Sequence, residues 1–323
     1  MRIQVYCTRC RWSMVKTEYC LGMCKSGGRY GQTMKMCLVQ GRRKRLSGTI
    51  SEILNEKRNV ITSNSNPKVK MLNKLNKDSK LRKEKDVFIV EGIRMFREIP
   101  IDSVKEVYMS ESAFEQYRDE NIVQKLCDDA EFAVMSDSVF AGVSQTKSPQ
   151  GCLAVVRCRH YDMKDIMPDD KTLTYLVLDT IQDPGNMGTI FRSAEAAGVT
   201  ALVLGPGSCD PYNPKVVRST MGAIFRVPFV QSEDLVKSVE QLKQKGVIVY
   251  GAHLDGEELY DTVFSDKIAF LIGNEGNGLS DEVAATSDRL LRIPMEGKVE
   301  SLNAAISATL LSYEAMRQRK SCK

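Results

Sequence analysis

The stretch Gly273-Asn274-Glu275-Gly276-Asn277-Gly278-Leu279 directly follows the apolar run Lys267–Ile272, which has the composition of a buried strand. A second apolar run, Leu290–Ile293, leads into Pro294-Met295 in the same way. Shortly afterwards, Ser301-Leu302-Asn303 opens the last helical pattern of the chain. Strands that end in polar, glycine-containing loops and alternate with helices predict an α/β fold with a parallel sheet.

A third segment of this kind lies earlier in the chain. Asp179 ends a strand, Pro184-Gly185 suits a tight turn, and Asn186-Met187-Gly188 opens a helix whose free N–H groups can face an anion. Arg192 lies about one helical turn further on and therefore shares the same rim. Its position fits two roles equally well, a functional cation or a structural ion pair with Asp179 or Asp183.

Strands and helices alternate through the whole C-terminal half. The predicted strands are Leu173–Asp179, Ala201–Leu204, Arg226–Val230, Val247–Ala252, Lys267–Ile272 and Leu290–Ile293. The predicted helices are Gly188–Ala197, Pro214–Met221, Glu233–Lys245 after a cap at Ser232, and a final helix from a capping Ser301 to about Arg319. This order predicts helices on both faces of the sheet and a ligand site beyond the carboxyl ends of the strands.

A smaller α/β unit precedes this sheet. Asn66-Pro67 is a helix start, and the following helix has an apolar stripe at Val69, Leu72 and Leu75. Further elements are predicted at Val87–Val90, Glu91–Ile99, Val104–Met109, Ser112–Cys127, Phe132–Met135, Asp137–Gln145 and Cys152–Val156. We therefore predict a domain over residues 60–157, a linker over 158–172 and a second domain over 173–323.

The charge of the chain is unevenly distributed. Residues 1–59 hold 13 Lys/Arg against 3 Asp/Glu, whereas residues 60–323 hold 33 against 38. Within the second part, residues 67–85 form a basic patch in which the only acidic residues are Asp78 and Glu84. Its cations are Lys68, Lys70, Lys74, Lys77, Lys80, Arg82, Lys83 and Lys85. By charge alone, this patch is either a solvated helix face or a surface that contacts phosphates.

The first 59 residues lack hydrophobic periodicity, and we expect a disordered extension or upstream sequence translated from a start assigned too early. Cys7, Cys10, Cys20 and Cys24 could instead furnish four thiolates to zinc. The Arg42–Arg45 run is expected to be unstructured. The sequence shows no apolar run long enough for a membrane span or a secretory signal, which predicts a cytoplasmic protein.

The three segments together have the order and spacing of a known enzyme family. Asn186, Gly188 and Arg192 match its first motif, Asn-x-Gly-x-x-x-Arg, and the glycine loop with Glu275 and the segment from Ile293 to Asn303 match the other two. The chain thus resembles the SpoU/TrmH branch of the SPOUT RNA methyltransferases over roughly residues 60–319. Its N-terminal unit resembles the substrate-binding domain, similar to an RNA-binding ribosomal protein, that precedes many of these enzymes.

This resemblance implies a fold and a chemistry. It implies a C-terminal parallel-sheet domain with a deep trefoil knot, a homodimer, S-adenosylmethionine as cofactor and methylation of a ribose 2′-hydroxyl in RNA. The implied catalytic residues are Asn186, Arg192, Glu275, Ser301 and Asn303. The implied cofactor-binding residues are Gly273, Asn274, Gly278, Ile293 and Leu302. Because a guanidinium is a poor base at neutral pH, orientation and charge stabilisation suit Arg192 better, and no metal is expected.

Two other functions are compatible with parts of the sequence. The glycines of the loop do not match G-x-G-x-x-G, which disfavours a nucleotide-dependent oxidoreductase. A non-catalytic RNA-binding or assembly factor on the same fold is disfavoured by the intact polar residues of all three motifs. Ribosomal RNA is the expected substrate and transfer RNA the alternative, because both kinds of enzyme share these motifs.

Overall fold

The structure is a computed structural model that describes residues 60–299 and 301–321. The expected N-terminal extension, the candidate zinc thiolates and the Arg42–Arg45 run lie outside the described residues and stay predictions. Within the described part, no helix combines the length and the apolar character that crossing a membrane requires.

The first sheet has four strands in the order β1-β4-β2-β3, namely β1 (Val87–Glu91), β2 (Val104–Ser110), β3 (Glu131–Met135) and β4 (Cys152–Arg157). Strand β4 pairs antiparallel with β1 and β2, and β2 pairs parallel with β3. Its helices are α1 (Pro67–Lys77), α2 (Ser79–Lys85), α3 (Ile93–Phe96), α4 (Glu111–Tyr117), α5 (Asn121–Asp129) and α6 (Asp137–Val143). The α/β character predicted for this region is confirmed.

Two predicted helices of this region are divided. The single helix predicted over Ser112–Cys127 is wrong, because the chain turns between α4 and α5, where the carboxylate of Glu120 pairs with Arg97. The helix that starts at Pro67 does not continue through the whole basic patch either, because it ends before Asp78 and a second helix follows. The Asp78 carboxylate accepts hydrogen bonds from the backbone of Lys80 and Leu81 at 2.9 and 3.2 Å, and so caps α2.

The second sheet has six parallel strands in the order β10-β8-β9-β5-β6-β7. They are β5 (Leu173–Leu178), β6 (Ala201–Leu204), β7 (Phe229–Gln231), β8 (Ile248–Glu258), β9 (Lys267–Ile272) and β10 (Arg289–Arg292). The helices are α7 (Pro184–Ala197), α8 (Pro214–Ser219), α9 (Leu235–Gln244), α10 (Asp281–Ala284) and α11 (Ala304–Ser321). The predicted parallel sheet is confirmed.

Helices cover both faces of this sheet, as predicted. Alternate side chains of a strand point to opposite faces, so Leu176 and Leu178 pack in one core with α7, α8 and α11, while Tyr175 and Val177 pack in another with α9 and α10. The threading of the deep trefoil knot stays a prediction.

Several boundaries differ from the predicted ones. The strand predicted from Arg226 begins only at Phe229, because Ala223–Phe225 forms a 3₁₀ turn. Helix α9 is capped by Asp234, which accepts from the backbone of Lys237 at 3.0 Å, so the predicted Ser232 cap is wrong. Helix α7 begins four residues before the predicted Gly188, after an Asp183 cap.

Candidate active site

The three sequence segments meet at one edge of the second sheet. Residues 179–183 follow β5, residues 273–280 follow β9, and residues 293–303 follow β10. All six strands run in parallel, and these segments therefore leave the sheet at its carboxyl edge. The prediction that the segments lie at strand ends is confirmed by this arrangement.

One chain of side-chain hydrogen bonds joins the three segments. Asn303 Nδ2 donates to Asn186 Oδ1 at 2.9 Å, and Asn186 Nδ2 donates to Glu275 Oε1 at 2.8 Å. Each residue comes from a different motif, and two of them are amides that use both their donor and their acceptor. Loops far apart in sequence thus hold one another in position through three polar side chains.

Glu275 is the anionic end of this series of hydrogen bonds. Its carboxylate also lies 3.4 Å from the backbone nitrogens of Gln182 and Asp183, which point towards it. Burial pushes the pKa of Glu275 up, but the hydrogen bonds from Asn186 and from the backbone outweigh burial and lower the pKa below its ordinary value. Glu275 is therefore ionised at neutral pH and braces the turn that precedes α7.

The glycine loop closes on itself through its backbone. Asn274 and Gly278 exchange backbone hydrogen bonds of 2.8 and 3.0 Å, and Asn274 Nδ2 donates to the Thr180 carbonyl at 2.8 Å. A Cβ at position 273 would lie 2.1 Å from the carbonyl carbon of Gly278, whose own φ is +72°. The glycine at 273 is thus required by closure of the loop itself rather than by approach of a ligand.

A cavity of about 400 Å³ opens beside this loop. Its lining includes all five predicted cofactor-binding residues, Gly273, Asn274, Gly278, Ile293 and Leu302, together with Glu275 and Ser301. The volume lies within the range of small-molecule sites, and apolar side chains combine there with the polar residues of the glycine loop. Its volume and mixed lining are those of a site for a small-molecule cofactor.

His253 and Leu254 are among the cavity-lining residues that sequence reasoning missed. Both belong to β8, which runs on to Glu258 instead of ending at the predicted Ala252. The predicted strand end at Ala252 was the available signal, because residues just beyond a parallel strand reach the same edge as the three motifs.

Ser301 and Asn303 have different roles from those predicted for the helix start. Helix α11 begins at Ala304, and Asn303 Oδ1 accepts from the backbone of Ala305 and Ile306 at 2.9 and 3.3 Å. The prediction that Ser301 caps this helix is wrong, because the helix starts three residues later with Asn303 at the cap. Ser301 lines the cavity instead.

Arg192 lies on α7 with its side chain exposed to solvent. The alternative of an ion pair with Asp179 or Asp183 does not hold, since Asp179 accepts from Ser280 and Thr180, and Asp183 caps α7. Among the described residues, the Arg192 guanidinium has no hydrogen-bond or ion-pair partner. A charged group on this rim is therefore available to a substrate.

The described residues contain no group of three or more His, Cys, Asp and Glu side chains arranged for a metal ion. The four cysteines at 127, 152, 158 and 209 are free thiols. Burial raises the pKa of the Cys152 thiol to about 12 and that of Cys209 to about 11. These thiols stay protonated at neutral pH and are weak nucleophiles.

Comparison with known proteins places this geometry in a family. Residues 173–313 match the model of the SpoU rRNA Methylase family, and residues 66–154 match that of the MRM3-like substrate binding domain. The 23S rRNA (guanosine(2553)-2′-O)-methyltransferase RlmP of Bacillus subtilis is 34% identical over 78% of this chain and 97% of its own length. An uncharacterized tRNA/rRNA methyltransferase of Synechocystis is 30% identical over 80% of this chain and 94% of its own.

Solved structures agree with these sequence matches. An AdoMet-bound rRNA methyltransferase from Sinorhizobium meliloti has a TM-score of 0.69 and 29% identity, covering 80% of this chain and 97% of that one. The SpoU methyltransferase AviRb from Streptomyces viridochromogenes, in complex with AdoMet, has a TM-score of 0.71 and 27% identity, covering 79% and 99%. The chain belongs to the SpoU rRNA methylase family, which confirms the predicted fold class, enzyme class and S-adenosylmethionine cofactor.

Proposed function

We propose that this protein transfers a methyl group from S-adenosylmethionine to a ribose 2′-hydroxyl in ribosomal RNA. The observation that carries the proposal is the hydrogen-bond chain Asn303–Asn186–Glu275, because it joins three strand-end loops beside one cavity. A protein that only binds RNA has no need to tie a cofactor-sized cavity to the rim that carries Arg192. The rRNA 2′-O-methyltransferases to which this chain is similar support the same reaction.

When bound, the cofactor would supply a methyl carbon on a sulfonium. The ribose 2′-oxygen would bond to that carbon as the hydroxyl loses its proton and the carbon–sulfur bond breaks, with S-adenosylhomocysteine as the leaving group, so the transfer needs no metal. On the protein side, the closed loop of Gly273, Asn274 and Gly278 would form one wall against it, and Ile293 and Leu302 offer apolar surface to its ring. Ser301 adds a hydroxyl to the same wall. These assignments make the cavity the cofactor side of the reaction.

Arg192 would serve the RNA side. A guanidinium keeps its charge at neutral pH, so it can orient a phosphate and stabilise developing negative charge near the attacking oxygen, but it does not act as a general base. Glu275 is an unsuitable base for a different reason, since its lowered pKa makes it a weak proton acceptor. We therefore assign Glu275 to bracing the first segment and Arg192 to positioning the ribose.

We also propose that the enzyme acts as a homodimer through α11. This helix carries apolar residues on its outer face as well as its inner one: Ile306 is 50% exposed and Tyr313 is 42% exposed, with the partly buried Leu310 between them. Their spacing places them on one stripe, which is the pattern of a helix with a partner on that side. Asn303 lies one turn before this stripe, so the interface would adjoin the site.

Light scattering tests the dimer. The wild-type chain should have twice the mass of the Ile306→Glu/Tyr313→Glu variant, whereas Lys320→Glu, an exposed change on the same helix, should keep the wild-type mass. A wild-type chain of single mass would refute the proposal.

Mapping of 2′-O-methyl positions tests the substrate. RNA from a strain that lacks the gene should miss one ribose methylation in ribosomal RNA, and the plasmid-borne gene should restore it. With this substrate we propose the cytoplasm as the site of action. A methylation missing from transfer RNA alone would replace the substrate, and a methylation map without any change would favour a non-catalytic assembly factor.

A further inference from the structure

Arg82 differs from the other cations of α2. Lys80, Lys83 and Lys85 on the same helix are exposed to solvent, yet Arg82 is only 3% exposed. Both alternatives considered for the basic patch, a solvated helix face and a phosphate-contacting surface, are therefore wrong for Arg82. A charged side chain is rarely buried unless a partner compensates for its missing hydration.

The partner belongs to a loop beside the second sheet. Arg82 Nε and Nη2 both donate to Asp210 Oδ2, at 3.2 and 2.5 Å, and Nη1 donates to the Leu75 carbonyl at 2.7 Å. Asp210 lies 128 positions away, in the segment between β6 and α8. A forked guanidinium held at three points permits little rotation or sliding, in contrast to a solvated lysine pair.

The segment that holds Asp210 also contacts the first motif. The backbone N–H of Cys209 donates to the Ile181 carbonyl at 2.8 Å, and the Ile181 N–H donates to Ser208 Oγ at 3.2 Å. Ile181 directly precedes the two residues whose backbone faces Glu275. Hydrogen bonds, joined by adjacent residues of the backbone, thus connect the lysine-bearing helix to the candidate active site.

Apolar packing beside the ion pair fixes the same relationship. The ring of Phe88 in β1 lies 4.6 Å from that of Tyr212 and 6.1 Å from that of Phe225, centroid to centroid. The Tyr212 hydroxyl donates to the Arg159 carbonyl at 2.7 Å and accepts from the Arg159 N–H at 2.8 Å. The first sheet is therefore held against the second by a packed core, and Arg82–Asp210 sets the position of α2 within that contact.

We infer that Arg82 is a positioning residue that fixes the distance and direction between the exposed lysines of α1 and α2 and the site of methyl transfer. RNA bound along those lysines then presents one ribose, and not its neighbours, to Arg192. This inference rests on the proposed function and adds to it a determinant of which nucleotide is methylated. The domain of the first sheet would then hold bound RNA at a fixed distance from the site of methyl transfer.

The test compares two neighbouring residues of the same helix. The Arg82→Met/Asp210→Asn variant removes both buried charges together, which avoids leaving one of them unpaired. Lys83→Met removes an exposed charge one position away. Lys245→Met, a remote exposed lysine, is the control for a charge change in general. Each full-length variant is assayed with ribosomal RNA from a strain that lacks the gene, and S-adenosylhomocysteine binding is measured by calorimetry.

The expected profiles differ in kind. For Arg82→Met/Asp210→Asn, the affinities for RNA and for S-adenosylhomocysteine should stay within about twofold of wild type. The kcat should fall about tenfold or more, because a misplacement near 1 Å can cost about 100-fold in rate. Methylation should also spread to neighbouring riboses. Lys83→Met instead weakens RNA binding and leaves the methylated position unchanged.

Two results would overturn the inference: an unchanged kcat with an unchanged methylation position, or a fall in kcat that accompanies loss of S-adenosylhomocysteine binding, which would assign Arg82 to stability alone. Arg82→Lys separates a positioning role from a role in stability. Its single ammonium should still pair with Asp210 and keep the protein folded, but it should not keep the methylated position. A wild-type protein that methylates no ribosomal RNA would refute the proposed function itself, independently of these variants.

Discussion

The carboxyl edge of the second sheet and the basic surface of α1 and α2 are both polar, but they are built in opposite ways. At the sheet edge, Asn186, Glu275 and Asn303 hold one another through hydrogen bonds of 2.8 and 2.9 Å. On the basic surface, Lys70, Lys74 and Lys77 extend into solvent. The first region holds side chains in fixed positions, whereas the second presents positive charge to solvent. The buried Arg82 connects them through its ion pair with Asp210.

The largest effect is expected at the rim of the site. Arg192→Ala should lower kcat by about 100-fold or more, because it removes a preorganised charge from the RNA side, while S-adenosylmethionine affinity stays within a few-fold. Calorimetry and single-turnover methylation measure the two quantities separately. Arg94→Ala, which changes an exposed arginine on α3, is the matched control. Loss of cofactor binding with the fold intact would show that Arg192 belongs to the cofactor side.

The closure of the glycine loop can be broken by a single methyl group. Gly273→Ala would place a Cβ 2.1 Å from backbone and should destabilise the loop by about 1–3 kcal/mol and abolish tight cofactor binding. Gly276→Ala is the control in the same loop, because its Cβ would have no heavy atom nearer than 3.5 Å. Thermal unfolding with and without S-adenosylhomocysteine distinguishes them. Equal behaviour of the two variants would show that the loop is looser than its backbone hydrogen bonds indicate.

A pH titration tests the bracing role of Glu275. Its folded-state pKa is lowered, by hydrogen bonds that outweigh the opposing effect of burial, so its stabilising contribution is present above the ordinary carboxyl pKa and disappears as pH falls through the lowered folded value. Glu275→Gln should weaken cofactor binding at neutral pH and remove that part of the acid-induced loss of stability. Unfolding curves of both proteins between neutral and acidic pH measure it. Parallel curves would contradict the role.

The smallest effect is expected on the basic surface. Neutralising Lys70, Lys74 and Lys77 together should weaken RNA binding and flatten its salt dependence, by up to about 0.7 in log–log slope for each RNA phosphate that a lysine no longer neutralises on single-stranded RNA. Lys68 is better left in place, since it pairs with Glu131. Cofactor affinity should not change. A slope equal to that of the wild-type chain would mean that RNA follows another path, over the second sheet alone.

The sequence was informative where residue type and strand order suffice. Gly273, Asn274 and Ile293 could be placed at one edge because each follows an apolar run, and parallel strands end on the same side. The contact of Asn303 with Asn186 could not be predicted, because it depends on which strands lie side by side. The sequence also could not show that Asn303 rather than Ser301 caps the last helix, since both residue types cap helices well.

Arg82 shows the same limit most clearly. In the sequence it is one of eight cations within a short basic stretch, and the lysines of α2 are exposed. Its burial depends on Asp210, which lies far away along the chain and becomes its neighbour only when the two sheets pack together. Charge patterning detects where cations cluster, but tertiary packing decides which of them remains free for RNA.

The central claim is that three loops tied together at one sheet edge transfer a methyl group to a ribose. The most direct measurement incubates the purified full-length protein with S-adenosylmethionine labelled in its methyl group and with ribosomal RNA from a strain that lacks the gene, followed by nucleoside analysis of the digested RNA. The label should appear in a single 2′-O-methylated nucleoside, and its rate of incorporation should fall by about 100-fold or more when the Arg192→Ala variant replaces the wild-type protein. Label in a methylated base, or RNA that is bound without becoming labelled, would contradict the account.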